Sequence, residues 1–148
     1  MPLCDRTIEE LLEEGELIID PRGEDAIQPA GIDLRLGREF YAPCPLRTIA
    51  PHRLTGREFE LIEDPLDQHG ELLLRPGAFI LGTTMERVTL PPDIQGRLDL
   101  RSTYARCGVF MHLAAGNIEP GFSGNIEPGF SGHITLEIAN ISGVPVSL

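Results

Sequence analysis

Proline and glycine cut this chain into short pieces, and that limits its fold more than any other feature. With 13 prolines and 16 glycines in 148 residues, turn signals recur at Pro21, Pro43/Pro45, Pro76-Gly77 and Pro91-Pro92. A proline lacks the N–H that a helix or an inner strand needs, so regular elements stop near these points. Between the turns lie apolar runs of strand length, at 17–19, 32–36, 39–42, 71–74, 78–85, 87–90, 94–98, 109–113, 134–138 and 144–146. Many short strands separated by turns predict a barrel or sandwich. The clearest helix spans 7–14, with Thr7 and Glu10 as a capping box, Gly15 as the stop, and Glu9, Glu10, Glu13 and Glu14 as a solvated face. No linker separates domains, so residues 1–148 are expected to form a single domain with a real core.

Charge narrows the partners. The net charge of −11 leaves no footprint for a polynucleotide. No apolar run approaches membrane length and no secretory leader is visible, which points to the cytoplasm. Cys4, Cys44 and Cys107 are odd in number and widely spaced, and read as free thiols.

Chemistry concentrates between Arg101 and Asn140. Arg101, Ser102, Thr103 and Arg106 fall within six residues, after a strand-like end at 96–100 and before Gly108. Residues 102–107 can make one or two helical turns with Ser102 or Thr103 as N-cap. Such an end presents unpaired N–H groups that suit phosphate, and two arginines add forked donors. An ordinary capped helix with two solvated arginines fits the same residues. Glu137 sits inside the apolar run HITLEIAN, where alternation puts Ile134, Leu136 and Ile138 on one face and His133, Thr135 and Glu137 on the other. A strand covered on both faces would bury the acid and raise its pKa toward that of a proton shuttle; a strand with one wet face would make it a surface acid. Asp33 in AGIDL reads as a structural acid.

Together these pieces match a family. GRLDLRSTYARCGV, HLAAGNIEPGFSG with GHITLEIAN, PAGIDLRLG, the opening LCDRTIEELLEEGEL and the middle GELLLRPGAFILGTTMERVTLP resemble the dCTP deaminase branch of the dUTPase-like superfamily, from residue 3 to 148. The resemblance implies a mostly β fold: a distorted, jelly-roll-like β-barrel (β-clip) with a short N-terminal helix. It implies a homotrimer with active sites between subunits. By the same resemblance, Arg101, Ser102, Thr103 and Arg106, with Tyr104 and Ala105 between them, match the triphosphate-binding motif, and Ser102 and Arg106 also support catalysis. Glu137 matches the general acid/base that activates water for attack at C4 of cytosine. Thr135 and Leu136 offer backbone contacts to the base, and Ala115 lies beside it. Glu119 or Glu127 matches the acid that holds the deoxyribose 3′-hydroxyl, and Phe122 or Phe130 the sugar pocket.

The implied activity is hydrolysis of dCTP to dUTP and ammonia, with onward cleavage to dUMP and pyrophosphate in bifunctional members, which Ala115-Gly116 resembles. Two other readings stay open: a dUTP diphosphatase, and a catalytically impaired nucleotide-binding homologue. Against the diphosphatase stands Glu137, which that chemistry does not need at this position. The family also leads one to expect dUTP or dTTP as further ligands. Zinc deaminases need H-x-E and P-C-x-x-C; His69-Gly70-Glu71 supplies the first half, but Cys44 has no partner three residues on, and His52, His112 and His133 are scattered. No protein-bound metal is therefore expected, and Mg2+ would arrive on the triphosphate.

The chain departs from the family in four places. The sugar-site acid is glutamate rather than aspartate, Ala114 replaces a threonine, and Ser102-Thr103 replaces a double serine. The chain also ends at Leu148, where relatives continue into another turn, a strand and a basic, aromatic tail. In addition, NIEPGFSG occurs twice, at 117–124 and 125–132. The first copy holds the family's spacing from Ala115, the second its spacing to Glu137. The second is favoured for the site because it joins the strand of Glu137 directly, with the first looped out.

Overall fold

The computed structural model describes residues 2–45, 48–111, 117–118 and 132–148. In chain order its elements are α1 (Asp5–Glu13), β1 (Ile18–Asp20), β2 (Ile27–Gln28), β3 (Gly31–Ile32), β4 (Tyr41–Pro43), a 3-10 turn (Pro51–Arg53), β5 (Phe59–Leu61), β6 (Leu73–Leu74), β7 (Phe79–Thr89), β8 (Gly96–Arg97), α2 (Ser102–Arg106), β9 (Val109–Met111), β10 (Asn117–Ile118), β11 (Gly132–Asn140) and β12 (Val146–Ser147). The protein is mostly β with a short N-terminal helix, as the turn spacing predicts.

Helix α1 begins earlier than its sequence suggests. Cys4 is the N-cap and no side chain caps the helix, so the Thr7/Glu10 capping box does not form; Thr7 lies inside the helix, its hydroxyl 3.4 Å from Cys4 Sγ. Asp5 occupies the first turn, where a carboxylate complements the helix dipole. The end follows the expected glycine stop. Gly15 has φ +73°, Glu16 N–H donates to Leu11 C=O at 3.0 Å, and Gly15 N–H donates to Leu12 C=O at 3.3 Å. Ile8 is buried while Glu9, Glu10, Glu13 and Glu14 stay solvated.

The chain forms two compact units. One comprises Met1–Gly37, Thr84–Leu98 and Gly116–Ile134; the other comprises Arg38–Thr83, Asp99–Ala115 and Thr135–Leu148. In the first, β1 pairs antiparallel with the end of β7 (Ile19↔Val88), β2 and β3 form a small hairpin, and β8 pairs with β10. Sequence splits β7 into two runs at Glu86, but the strand is continuous. Glu86 takes a core-facing position in phase with Thr84 and Val88 and is 1 % exposed. It can sit there because Arg35 satisfies it, donating from its backbone N–H to Oε2 (2.8 Å) and from Nε to Oε1 (2.6 Å). Arg35 Nη2 also donates to the Pro21 carbonyl at 2.9 Å. Nearby, the buried Thr84 hydroxyl donates to Glu86 C=O and accepts from Ile134 N–H, stitching β7 to the start of β11.

The opening of the first repeat copy does not loop out, which corrects the expectation from sequence. Asn117 pairs with Arg97 and Ile118 with Gly96, and Ile118 is buried. The reason is a close fit: a Cβ on Gly96 would lie 3.0 Å from Ile118 Cδ1 and 3.2 Å from Leu90 Cδ1, so the bare glycine lets the isoleucine pack tightly against the backbone. The last residue of the second copy, Gly132, begins β11 and is buried. The two ends of the repeat are thus both held by strands.

In the second unit the strand order is β5-β4-β7-β11-β9, and β6 pairs separately with β12. Phe40, fully buried, anchors the core. Sequence gives no sign of β5, because its Glu60 and Leu61 are exposed at the sheet edge and no apolar face marks the strand. Strand β11 runs longer than the expected 134–138. Ile134, Leu136, Ile138 and Asn140 face the core, and Thr135 and Glu137 the wetter side.

Candidate active site

The candidate site lies in the second unit and starts from α2. Arg101 has extended backbone (φ −56°, ψ 136°) and serves as N-cap, one residue earlier than the Ser102 or Thr103 expected; no side chain caps the helix. The Arg101 carbonyl accepts from Tyr104 N–H (3.1 Å) and Ala105 N–H (3.2 Å), which closes the first turn. Ser102 and Thr103 therefore occupy the first helical positions, whose N–H groups have no partner within the helix. Ser102 and Arg106 are four residues apart, so they share one helix face.

Nothing on α2 is buried; residues 101–107 are all exposed. A five-residue helix with no core-facing side chain does not hold itself. Its end is fixed instead. Gly108 adopts φ +81°, its N–H donates to Ala105 C=O at 3.1 Å, and Cys107 N–H donates to Tyr104 C=O at 3.0 Å. The chain then enters β9, where Val109 is buried.

Strand β9 brings α2 to the candidate acid. It pairs antiparallel with β11 in the register Ile138↔Met111, Ala139↔Phe110 and Asn140↔Val109. Glu137 is the residue just before this ladder. It is half-buried, on the same face as Thr135 and Ala139, while Leu136 points into the core. Leu136 can thus offer a ligand only its backbone. Of the two sequence alternatives for Glu137, the chain matches the strand with one wet face; the wholly buried acid is Glu86, which sequence reasoning misses.

Arg101, Ser102, Thr103, Tyr104, Ala105 and Arg106 form one exposed turn, and Thr135, Leu136 and Glu137 lie on the strand next to the one that follows it. Ala115, Glu119, Glu127, Phe122 and Phe130 lie outside the described residues. Asn140 also escapes sequence reasoning, although a polar residue in phase with Ile134, Leu136 and Ile138 is the signal of a buried hydrogen-bonder.

Over residues 3–148 the chain matches the family described as dCTP deaminase-like. The chain belongs to that family. The dUMP-forming dCTP deaminase of Dictyoglomus thermophilum is 42% identical over 153 residues, covering 100% of this chain and 74% of its own length. That of Methanobrevibacter smithii is 40% identical over 152 residues, covering 99% and 73%. The dCTP deaminase of Natronomonas pharaonis is 38% identical over 152 residues, covering 100% and 74%. Among solved structures, 2′-deoxycytidine 5′-triphosphate deaminase from Agrobacterium tumefaciens superposes with a TM-score of 0.71 at 22% identity, over 99% of this chain and 44% of that one. At that identity the match establishes the shared fold.

Proposed function

We propose that this chain deaminates dCTP, adding water at C4 of cytosine and releasing ammonia, and carries the resulting dUTP on to dUMP and pyrophosphate. What supports this is the β9–β11 ladder, which sets an exposed helix bearing two arginines beside the strand of a half-buried glutamate. Glu137 takes a proton from the attacking water and delivers it to the departing amino group, a shuttle that contributes typically 10²–10⁴-fold. Arg101 and Arg106 bind the triphosphate, together with the first amides of α2. Ser102, on the face of Arg106, supports the reacting water, and the Thr135–Leu136 backbone reads the base. Glu119 or Glu127 holds the sugar hydroxyl. Water activation rests on carboxylate chemistry, and Mg2+ enters on the substrate's phosphates.

The assembly we propose is a homotrimer with shared active sites, working in the cytoplasm. Exposed apolar side chains on the second unit, including Leu61, Leu73 and Ile141, suit a surface that another subunit covers. Among the described residues, no helix is long and apolar enough to cross a membrane.

The test is incubation with dCTP while ammonia, dUTP and dUMP are resolved. Ammonia with dUMP supports the full reading, and ammonia with dUTP alone restricts it to deamination. No ammonia overturns it. Arg101→Ala and Arg106→Ala should each weaken dCTP binding about tenfold more than deoxycytidine binding, because charged hydrogen bonds to phosphate are worth about 1.5–3 kcal/mol. Equal losses would make these arginines structural.

A further inference from the structure

Asn140 is 1 % exposed and uses its whole amide. Its Nδ2 donates to Leu74 C=O and to Val144 C=O, each at 2.9 Å. Its Oδ1 accepts from Ser142 N–H at 2.8 Å and lies 2.7 Å from the Ser142 hydroxyl. That hydroxyl has one proton, and the Val144 carbonyl at 2.8 Å is its other acceptor. The result is a rigid turn at 140–144, with Ser142 pressed against the end of α2. A Cβ on Gly108 would lie 2.7 Å from Ser142 Cβ and 3.1 Å from Ser142 N. Gly108 C=O accepts from Ile141 N–H at 2.9 Å, closing the contact from the other side.

One short motif therefore touches both halves of the candidate site. Asn140 is three residues from Glu137 on β11, and through Ser142 it seats Gly108, two residues beyond Arg106. Helix α2 buries nothing of its own, and this seat holds the end of the helix from which Arg106 and Ser102 stand out. We infer that Asn140 and Ser142 are positioning residues: they hold the phosphate-binding turn in register with the proton-shuttling strand. The inference rests on the reading of α2 and Glu137 as the site.

The test compares Gly108→Ala, Ser142→Ala, Asn140→Asp and the pair Gly108→Ala/Ser142→Gly in the full chain. kcat is expressed per folded chain, with the folded fraction taken from urea titration at the assay temperature. Gly108→Ala should lower kcat about tenfold, because the φ of +81° strains any side chain there and the new methyl also has to push the end of α2 off the Ser142 turn. Removing the Ser142 Cβ should restore about threefold of that loss, a non-additivity expected only of residues in contact. Asn140→Asp and Ser142→Ala should each lower kcat about threefold. A merely structural role would lower Tm while leaving kcat per folded chain within twofold, with no recovery in the pair, and that result overturns the inference. If Gly108→Ala does not fold, the same criterion applied to Asn140→Asp and Ser142→Ala decides. If the wild-type chain releases no ammonia, the deaminase reading falls on its own, and dCTP affinity becomes the readout: a tenfold loss in Gly108→Ala, or threefold in the milder variants, supports the seat, and unchanged affinity removes it.

Discussion

Glu86 and Glu137 are both glutamates set into long strands, and the structure treats them in opposite ways. Glu86, on β7, is fully buried with both oxygens held by Arg35. Glu137, on β11, is half-buried on the face that solvent reaches, one residue from the ladder leading to the arginine-bearing turn. The difference separates burial from chemistry. A carboxylate whose lone pairs are taken by a fixed guanidinium and amide is a structural part, however perturbed its surroundings. Glu137 lies instead at the edge of the core, one residue from the ladder that leads to the arginine-bearing turn, and on the proposed reading it is the acid that moves protons.

The sharpest way to break this comparison is to exchange each acid for a neutral residue. Glu137→Gln should reduce ammonia release about 10³-fold, close to 4 kcal/mol of barrier, while dCTP affinity changes only a few-fold and the urea midpoint stays put. Retention of most of the turnover would remove Glu137 from the mechanism. Glu86→Ala should do the reverse. It leaves the Arg35 guanidinium facing an apolar hole, and breaking a buried pair costs about 3–5 kcal/mol. The lower end is expected, because Arg35 is half-exposed and can turn to water. Urea unfolding should show this loss, with kcat per folded chain near that of the wild type. A Glu86 variant that keeps its stability but loses turnover would collapse the distinction between the two acids.

The two acids also show what the sequence displays and what it hides. The strand position of Glu137 is legible because its neighbours alternate cleanly. Glu86 was not, since a charge in an apolar run reads as a break, and only the distant Arg35 turns that position into core. The same limit applies to Asn140, whose partners Leu74 and Val144 lie outside its own strand. Elements marked by local chemistry, such as the Gly15 stop or the Gly108 turn after α2, were readable. Elements marked only by pairing, such as β5 and β10, were not. Both helices start one or more residues before the caps that the sequence suggests, because hydroxyl and acid side chains near a helix start are compatible with several first turns.

The repeat gives a milder contrast within the first unit. Ile118 of the first copy packs on Gly96 and Leu90, and truncating a buried isoleucine costs about 2–5 kcal/mol. Ile118→Ala should therefore lose about 2 kcal/mol in urea. A loss well below that would show that the packing of Ile118 on Gly96 and Leu90 does little to hold the first unit. Deleting eight residues, 117–124 or 125–132, yields the same chain. If the surplus strains the sugar pocket, that chain should bind dCTP more tightly.

A third acid sharpens the comparison from its weak end. Glu58 is half-buried, and its carboxylate accepts hydrogen bonds from Thr55 N–H (3.1 Å) and from the Thr55 hydroxyl (3.0 Å). The bond from the Thr55 backbone is the strongest influence on the Glu58 carboxyl and holds it below its ordinary value of 4.5. A depressed carboxylate pKa favours the folded state above the unfolded value, and the contribution disappears as pH falls through the folded one. The 55–58 turn should thus lose its support below pH 4.5, and Glu58→Gln should lower the urea midpoint slightly near neutrality, where the ionised carboxylate contributes, and converge with the wild type in acid. Because the carboxylate stays in contact with solvent, its effect should be smaller than that of Glu137, Glu86 or Ile118, and kcat should not respond. A change in turnover with Glu58→Gln would tie this turn to the site, and would show that solvent-facing acids outside β11 also influence the reaction.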